Sequence, residues 1–190
     1  VTWIIGGALL IAAPLVSLAL AATPSFGAVL FAAALLVFAL APGSVTQRRP
    51  LGTAALILLA VWCVAAAVIS STLVASTAQD DFTAPLVFAY VDSGVQLVLA
   101  VIAVVQIARS ATIPRPWNWS PAWALLLMVL AWLVVQVASV TVGSSASIAS
   151  GLSGIEATAR IASCVFLGVV AIVFAARAPR VATSQHPTAT

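Results

Sequence analysis

A chain with almost no charge cannot dress itself for water, and this one carries seven basic and four acidic side chains in 190 residues. Soluble domains are about 25% charged and roughly 45–50% apolar. Here the corresponding figures are 6% and 64%, with a mean hydropathy of +1.24. At about 20 apolar residues per crossing, the length suits roughly six spans and little else. Soluble enzymes, nucleic-acid modules and disulfide scaffolds do not fit this composition. The expected fold is all-α, a polytopic integral membrane bundle of six transmembrane helices.

Six apolar runs carry that expectation: about Trp3–Ala22, Phe26–Ala41, Leu51–Val74, Ala84–Ala108, Ser120–Val142 and Gly154–Ala176. The second is short for a full crossing. The fifth opens at Ser120-Pro121, an N-cap followed by proline at the first helical position. No run alternates apolar and polar residues as a membrane barrel strand would. Pro14 falls within the first span, where a kink is expected. Residues 1–180 thus read as a single six-helix transmembrane domain, and residues 181–190 as a polar cytoplasmic tail.

Orientation follows from arginine. The segments after spans two, four and six hold Arg48 and Arg49, Arg109 and Arg115, and Arg177 and Arg180. Those after spans one, three and five hold none, and the middle one carries Asp80 and Asp81. Cytoplasmic loops collect positive charge, so both termini are expected in the cytoplasm and the protein in the plasma membrane. Trp117, Trp119 and Trp123 lie beside Arg115, where an interfacial aromatic belt is expected, and Trp3 fits the same belt. A docking surface for a cytoplasmic partner is the alternative reading of this tryptophan cluster. Ala19-Leu20-Ala21 resembles a signal-peptidase site, but no basic n-region precedes it. An uncleaved first helix is expected.

Absences narrow the chemistry. All seven basic residues are arginine, so lysine Schiff-base chemistry is excluded. The single histidine, His186, falls in the tail, and the two cysteines, Cys63 and Cys164, sit in apolar runs without a CxxC spacing. Intramembrane haem or zinc sites need more imidazole or thiolate than this, so no metal and no cofactor is expected. The cysteines read as small hydrophobes. No HExxH or GxSxG pattern accompanies the acidic residues, and no enzymatic activity is expected.

The informative residues are the polar ones inside the spans, because a mid-bilayer charge costs about 2.5–3.5 kcal/mol on insertion scales. Asp92 lies about eight residues, or roughly 12 Å, below the outer end of span four. Arg160 lies about six or seven residues into span six. Equal depth and opposite sign predict an Asp92–Arg160 ion pair between helices. Glu156 has two local readings: a capping box with Ser153 at the start of span six, or an i,i+4 pair with Arg160. Gln96 sits one turn from Asp92. Gln136, Ser139, Ser70 and Ser71 approach the same outer level, while Gly94 would let helices approach closely. Ala8/Ala12 and Ala13/Ser17/Ala21 make small-xxx-small faces of the same kind.

Spans three and four also resemble spans five and six. Pro50 precedes Trp62 by 12 residues and Pro121 precedes Trp132 by 11, while Asp92 and Arg160 each precede an arginine by 17. Parallel helical-hairpin repeats are one explanation.

Two functions fit. One is a small, non-enzymatic transport component with an outward-facing polar pocket lined by Asp92 and Arg160, to which Glu156, Gln96 and Gln136 could contribute, binding a small solute. In outline this is similar to the substrate-binding subunits of energy-coupling-factor transporters, although no family motif is present. The other is an accessory subunit of a larger membrane complex, in which the Asp92–Arg160 pair only stabilises the bundle. The bilayer is the common partner, with another membrane subunit or a second copy of the chain as further ones. Nucleic acid is not.

Overall fold

The computed structural model describes residues 2–19, 25–40, 50–76, 83–109, 117–142 and 146–177, and all of them are helical. The helices are α1 (Thr2–Ala19), α2 (Ser25–Leu40), α3 (Pro50–Ser76), α4 (Thr83–Arg109), α5 (Ser120–Val142) and α6 (Ala146–Arg177), with a 3-10 turn at Trp117–Trp119 before α5. Five of them, all but α2, are long and apolar enough to cross a membrane. The 16 residues of α2 extend about 24 Å at 1.5 Å per residue. The segments holding Arg48, Arg49, Asp80, Asp81, Arg115 and Arg180 lie outside the described residues, as does the tail with His186.

What is buried and what is exposed identifies the solvent. The core consists largely of small residues: Ala13 of α1, Ala32, Ala34 and Ala39 of α2, Ala55, Ala60 and Ala66 of α3, and Ala103 of α4. Large aliphatic side chains point outward, among them Leu18, 70% exposed, with Val61, Val98 and Val137. A water-soluble bundle would invert this pattern. In lipid the tails are as apolar as leucine, so close backbone approach through small residues, not burial of large ones, holds helices together. Helices also satisfy every backbone group internally, which hydrocarbon requires. The chain is a membrane-embedded helical bundle.

The helices form a ring in chain order, with α6 returning to pack on α1 and only a thin seam between α4 and α5. The α1–α6 crossing is set by glycine on both sides. A Cβ on Gly7 would stand 2.7 Å from the Gly168 carbonyl oxygen, and one on Gly168 would stand 2.7 Å from the Gly7 carbonyl oxygen. At the α1–α2 crossing, Gly27 lies against Ser17 and the Ala13 carbonyl, so the Ala13/Ser17 face is used. Ser17 itself donates to the Ala13 carbonyl at 3.0 Å. Ala8 is exposed, and α1 continues as helix through the buried Pro14.

One end of the ring is plugged. Ile107, near the end of α4 and 8% exposed, is packed by Trp3 from the start of α1, Phe38 from the end of α2 and Phe174 from the end of α6. Trp3 meets Phe38 edge-on at 6.4 Å, and Trp117, just before α5, meets Phe174 at 6.3 Å. Edge-to-face pairs are worth about 0.5–1.5 kcal/mol beyond burial. Starts and ends of alternate helices meeting here make the bundle up-and-down, and Arg109 and Arg177 close α4 and α6 at this same end.

One boundary differs from the hydropathy reading. The last helix begins at Ala146, eight residues before Gly154. The Ser/Gly/Ala stretch there lowers hydropathy without breaking the helix. Ser153 therefore lies inside α6, and Glu156 does not close a helix N-terminus.

Candidate functional site

Asp92, on α4, is held from α3. The Trp62 indole Nε1–H donates to Asp92 Oδ1 at 2.8 Å, and Gln96 Nε2, one turn along α4, donates to the same oxygen at 2.8 Å. A tryptophan in an aliphatic span has an N–H that requires an acceptor, and the carboxylate facing it supplies one. The expected Asp92–Arg160 ion pair is not formed. The cause is topological: α5 separates α4 from α6 in the ring, whereas Trp62 stands on the neighbouring helix. Arg160 instead pairs with Glu156 on its own helix, Nη2 to Oε1 at 3.6 Å, with the two side chains 62% and 46% exposed. That separation exceeds the roughly 2.7–2.9 Å of a charge-assisted hydrogen bond, so the pair is loose and its hydrogen-bonding capacity is largely unspent.

Glu156 and Arg160 line a half-open cavity of about 320 Å³ bordered by α2 to α6. Its volume falls at the small end of the roughly 300–1,000 Å³ typical of ligand sites. The walls are mostly apolar. Phe31 of α2, Leu59 of α3, Leu97 and Ala100 of α4 and Leu125, Met128 and Val129 of α5 surround the body of the space. Polar groups gather toward the end remote from Ile107: Tyr90, Ser93 and Gln96 on α4, Trp132 on α5, and Glu156 with Arg160 on α6. Asp92 is not part of this wall, which corrects the expectation of a pocket lined by Asp92 and Arg160. Its influence on the cavity runs through Gln96, which touches both.

The other expected residues divide cleanly. Gln136 lies half-buried on α5, one turn beyond Trp132, and does not line the cavity. Ser70 and Ser71 are exposed and donate back to the carbonyls of Ala67 and Val68 at 3.1 and 2.7 Å. The side chain of Ser139 lies outside the described residues. Gly94 is no close-packing glycine, since a Cβ there would meet nothing within 4 Å. It opens the α4 wall instead. Below the cavity, Ser163 of α6 donates to the Ala124 carbonyl of α5 at 3.3 Å and ties that hairpin together.

Trp62 and Trp132 mark corresponding places in the two candidate repeats, but composition alone does not identify their partners. A lone indole N–H at mid-span was the signal that could have. Among the described residues, no three His, Cys, Asp or Glu side chains converge on a possible metal position, and Cys63 and Cys164 are free thiols. No family model matches the chain, nor does any curated protein or solved structure.

Proposed function

We propose that this protein is a small, non-enzymatic transport component that binds a small molecule inside its helix ring. In this reading, Arg109, Arg177 and both termini face the cytoplasm, the ring sits in the plasma membrane, and the polar end of the cavity faces out. The observation that carries the reading is the cavity itself, with the loose Glu156–Arg160 pair on its wall at membrane depth. Charges there are costly unless they serve packing or a ligand, and this pair is too exposed to serve packing. Asp92 and Trp62, by contrast, belong to the scaffold.

The geometry also supports a duplicated hairpin. In α3–α4 a tryptophan meets a charged residue 30 positions later, and in α5–α6 Trp132 and Arg160, 28 positions apart, both line the cavity. An accessory role finds separate support in Trp119 and Trp123, both exposed at the Arg109 end of the bundle.

Native mass spectrometry of the gently purified protein tests the proposal. The expected result is a retained small molecule that is lost on Arg160→Ala while helix content is unchanged. A bare protein mass, unaltered by the substitution, contradicts it.

A further inference from the structure

We infer that the cavity is a seat for the head and upper chain segments of one zwitterionic phospholipid from the leaflet remote from the aromatic plug, which enters sideways between α4 and α5 and leaves the rest of its tails in the bilayer. The inference rests on the reading of the cavity as a binding site and names what it takes.

Four features converge on an amphiphile. The first is depth. The α4 wall runs from Tyr90 to Ala100, ten residues or about 15 Å, which is half of a hydrocarbon core about 30 Å thick. The space is therefore one leaflet deep. The second is its gradient of polarity. Charged and amide groups stand at one end and only aliphatic and aromatic groups at the other, which matches the head-to-tail order of a lipid standing in that leaflet. Arg160 lies 17 residues, about 25 Å, from Arg177 along α6. With Arg177 at one headgroup layer, Arg160 lies about 5 Å inside the far edge of a core about 30 Å thick, still at membrane depth, with its long stem directed toward the phosphate level.

The third feature is access. The ring is closed at the Arg109 end by Ile107 and the aromatics around it, and its weakest contact is the α4–α5 seam. Most of the cavity wall comes from those two helices, and Gly94 leaves α4 without a side chain there. A lipid can enter through such a seam with its head remaining in the headgroup layer throughout. A water-soluble solute gains nothing from a lateral seam.

The fourth feature is charge. Glu156 and Arg160 present a carboxylate and a guanidinium one helical turn apart, only loosely joined at 3.6 Å. A phosphodiester carrying an ammonium group offers each of them its opposite. Guanidinium binds phosphate oxygens through paired N–H donors, and the carboxylate accepts from the ammonium. A purely anionic head would meet Glu156 unfavourably, and a purely cationic one would meet Arg160.

The test uses the delipidated full chain, vesicles of phosphatidylethanolamine, and free phosphoethanolamine, which carries the ammonium and a phosphate, here as a monoester, without tails. Lipid occupancy is read by native mass spectrometry at collision energies that strip loosely held lipid, and helix content by circular dichroism. One phospholipid per chain is expected, with no retained phosphoethanolamine. Arg160→Gln should lower occupancy about tenfold, the loss of roughly 1.4 kcal/mol. Gly94→Phe, which fills open space at the seam, should abolish it with helix content unchanged. Retention of phosphoethanolamine in place of lipid overturns the lipid assignment and leaves the proposed binding function standing. Lipid occupancy indifferent to both substitutions overturns the lipid assignment as well, since the lipid then sits elsewhere. If neither probe is retained and the purified protein carries no other small molecule, both readings fail.

Discussion

Replacing Trp62 by phenylalanine removes one hydrogen-bond donor and keeps an aromatic ring. In the structure that donor is one of two on Asp92 Oδ1, the other being Gln96, each at 2.8 Å. Interhelical hydrogen bonds in membrane bundles average about 0.6 kcal/mol and reach about 1.7 kcal/mol. Hydrogen bonds to charged groups contribute about 1.5–3 kcal/mol in soluble proteins. The acceptor here is a carboxylate in an apolar bundle, so the overlap of the two ranges, near 1.5 kcal/mol, is the expected loss. At about 2–4 °C per kcal/mol for a chain of this size, Trp62→Phe should lower the Tm in detergent by roughly 3–6 °C. A double-mutant cycle isolates the contact from the change in ring size. Trp62→Phe combined with Asp92→Leu should show a coupling of about 1–2 kcal/mol, measured by reversible denaturant unfolding. The parallel cycle of Asp92→Leu with Arg160→Leu should couple more weakly, by about 0.5 kcal/mol or less, because no hydrogen bond or ion pair joins the two residues directly. Strong coupling in the second cycle and none in the first would refute the assignment of Asp92 to the α3–α4 contact.

Other expectations are independent of that pair. Gly7→Ala and Gly168→Ala each drive a methyl to 2.7 Å from a backbone carbonyl oxygen and should cost about 1–3 kcal/mol. Gly94→Ala meets open space and should be neutral or stabilising by up to about 1 kcal/mol; unfolding curves that rank the three otherwise contradict the ring packing. Cys164 is buried and Cys63 half-buried. Intact-mass analysis should therefore show at most one maleimide adduct forming readily on the folded protein and two after denaturation in SDS. Two adducts forming at equal rates in the native state would contradict that burial. Ser163→Ala should cost only about 0.6 kcal/mol, since it loses one long hydrogen bond to Ala124, at 3.3 Å; a loss of several kcal/mol would contradict this α5–α6 contact.

Much of the scaffold was legible in the sequence for a simple physical reason. A helix that must cross hydrocarbon writes its own length, and for spans two to five the described ends fall within two residues of those expected. The Glu156–Arg160 pair was legible as well, because i,i+4 spacing belongs to a single helix. Residues that depend on which helix lies next to which were not legible. Alanine, valine and leucine distribute so evenly over these helices that no face announces its neighbour. The partner of Asp92 is therefore decided by ring order, which places Trp62 beside it and α5 between it and Arg160. Glycine was ambiguous for the same reason. Gly7 and Gly168 are a contact while Gly94 is a gap, and the residue type is identical. The start of α6 was hidden because small polar residues look like loop on a hydropathy scale yet continue a helix.

In the proposed orientation, the arginine-bearing, aromatic-plugged end of the ring and the polar end of its cavity face opposite sides of the membrane. Single cysteines at Arg160 and at Arg109, in a background with Cys63→Ala and Cys164→Ala, test this directly with a membrane-impermeant maleimide added to intact cells. Labelling of Arg160→Cys but not of Arg109→Cys, with the latter appearing only after permeabilisation, is the expected result. Labelling of Arg109→Cys in intact cells, or of both positions alike, would contradict it.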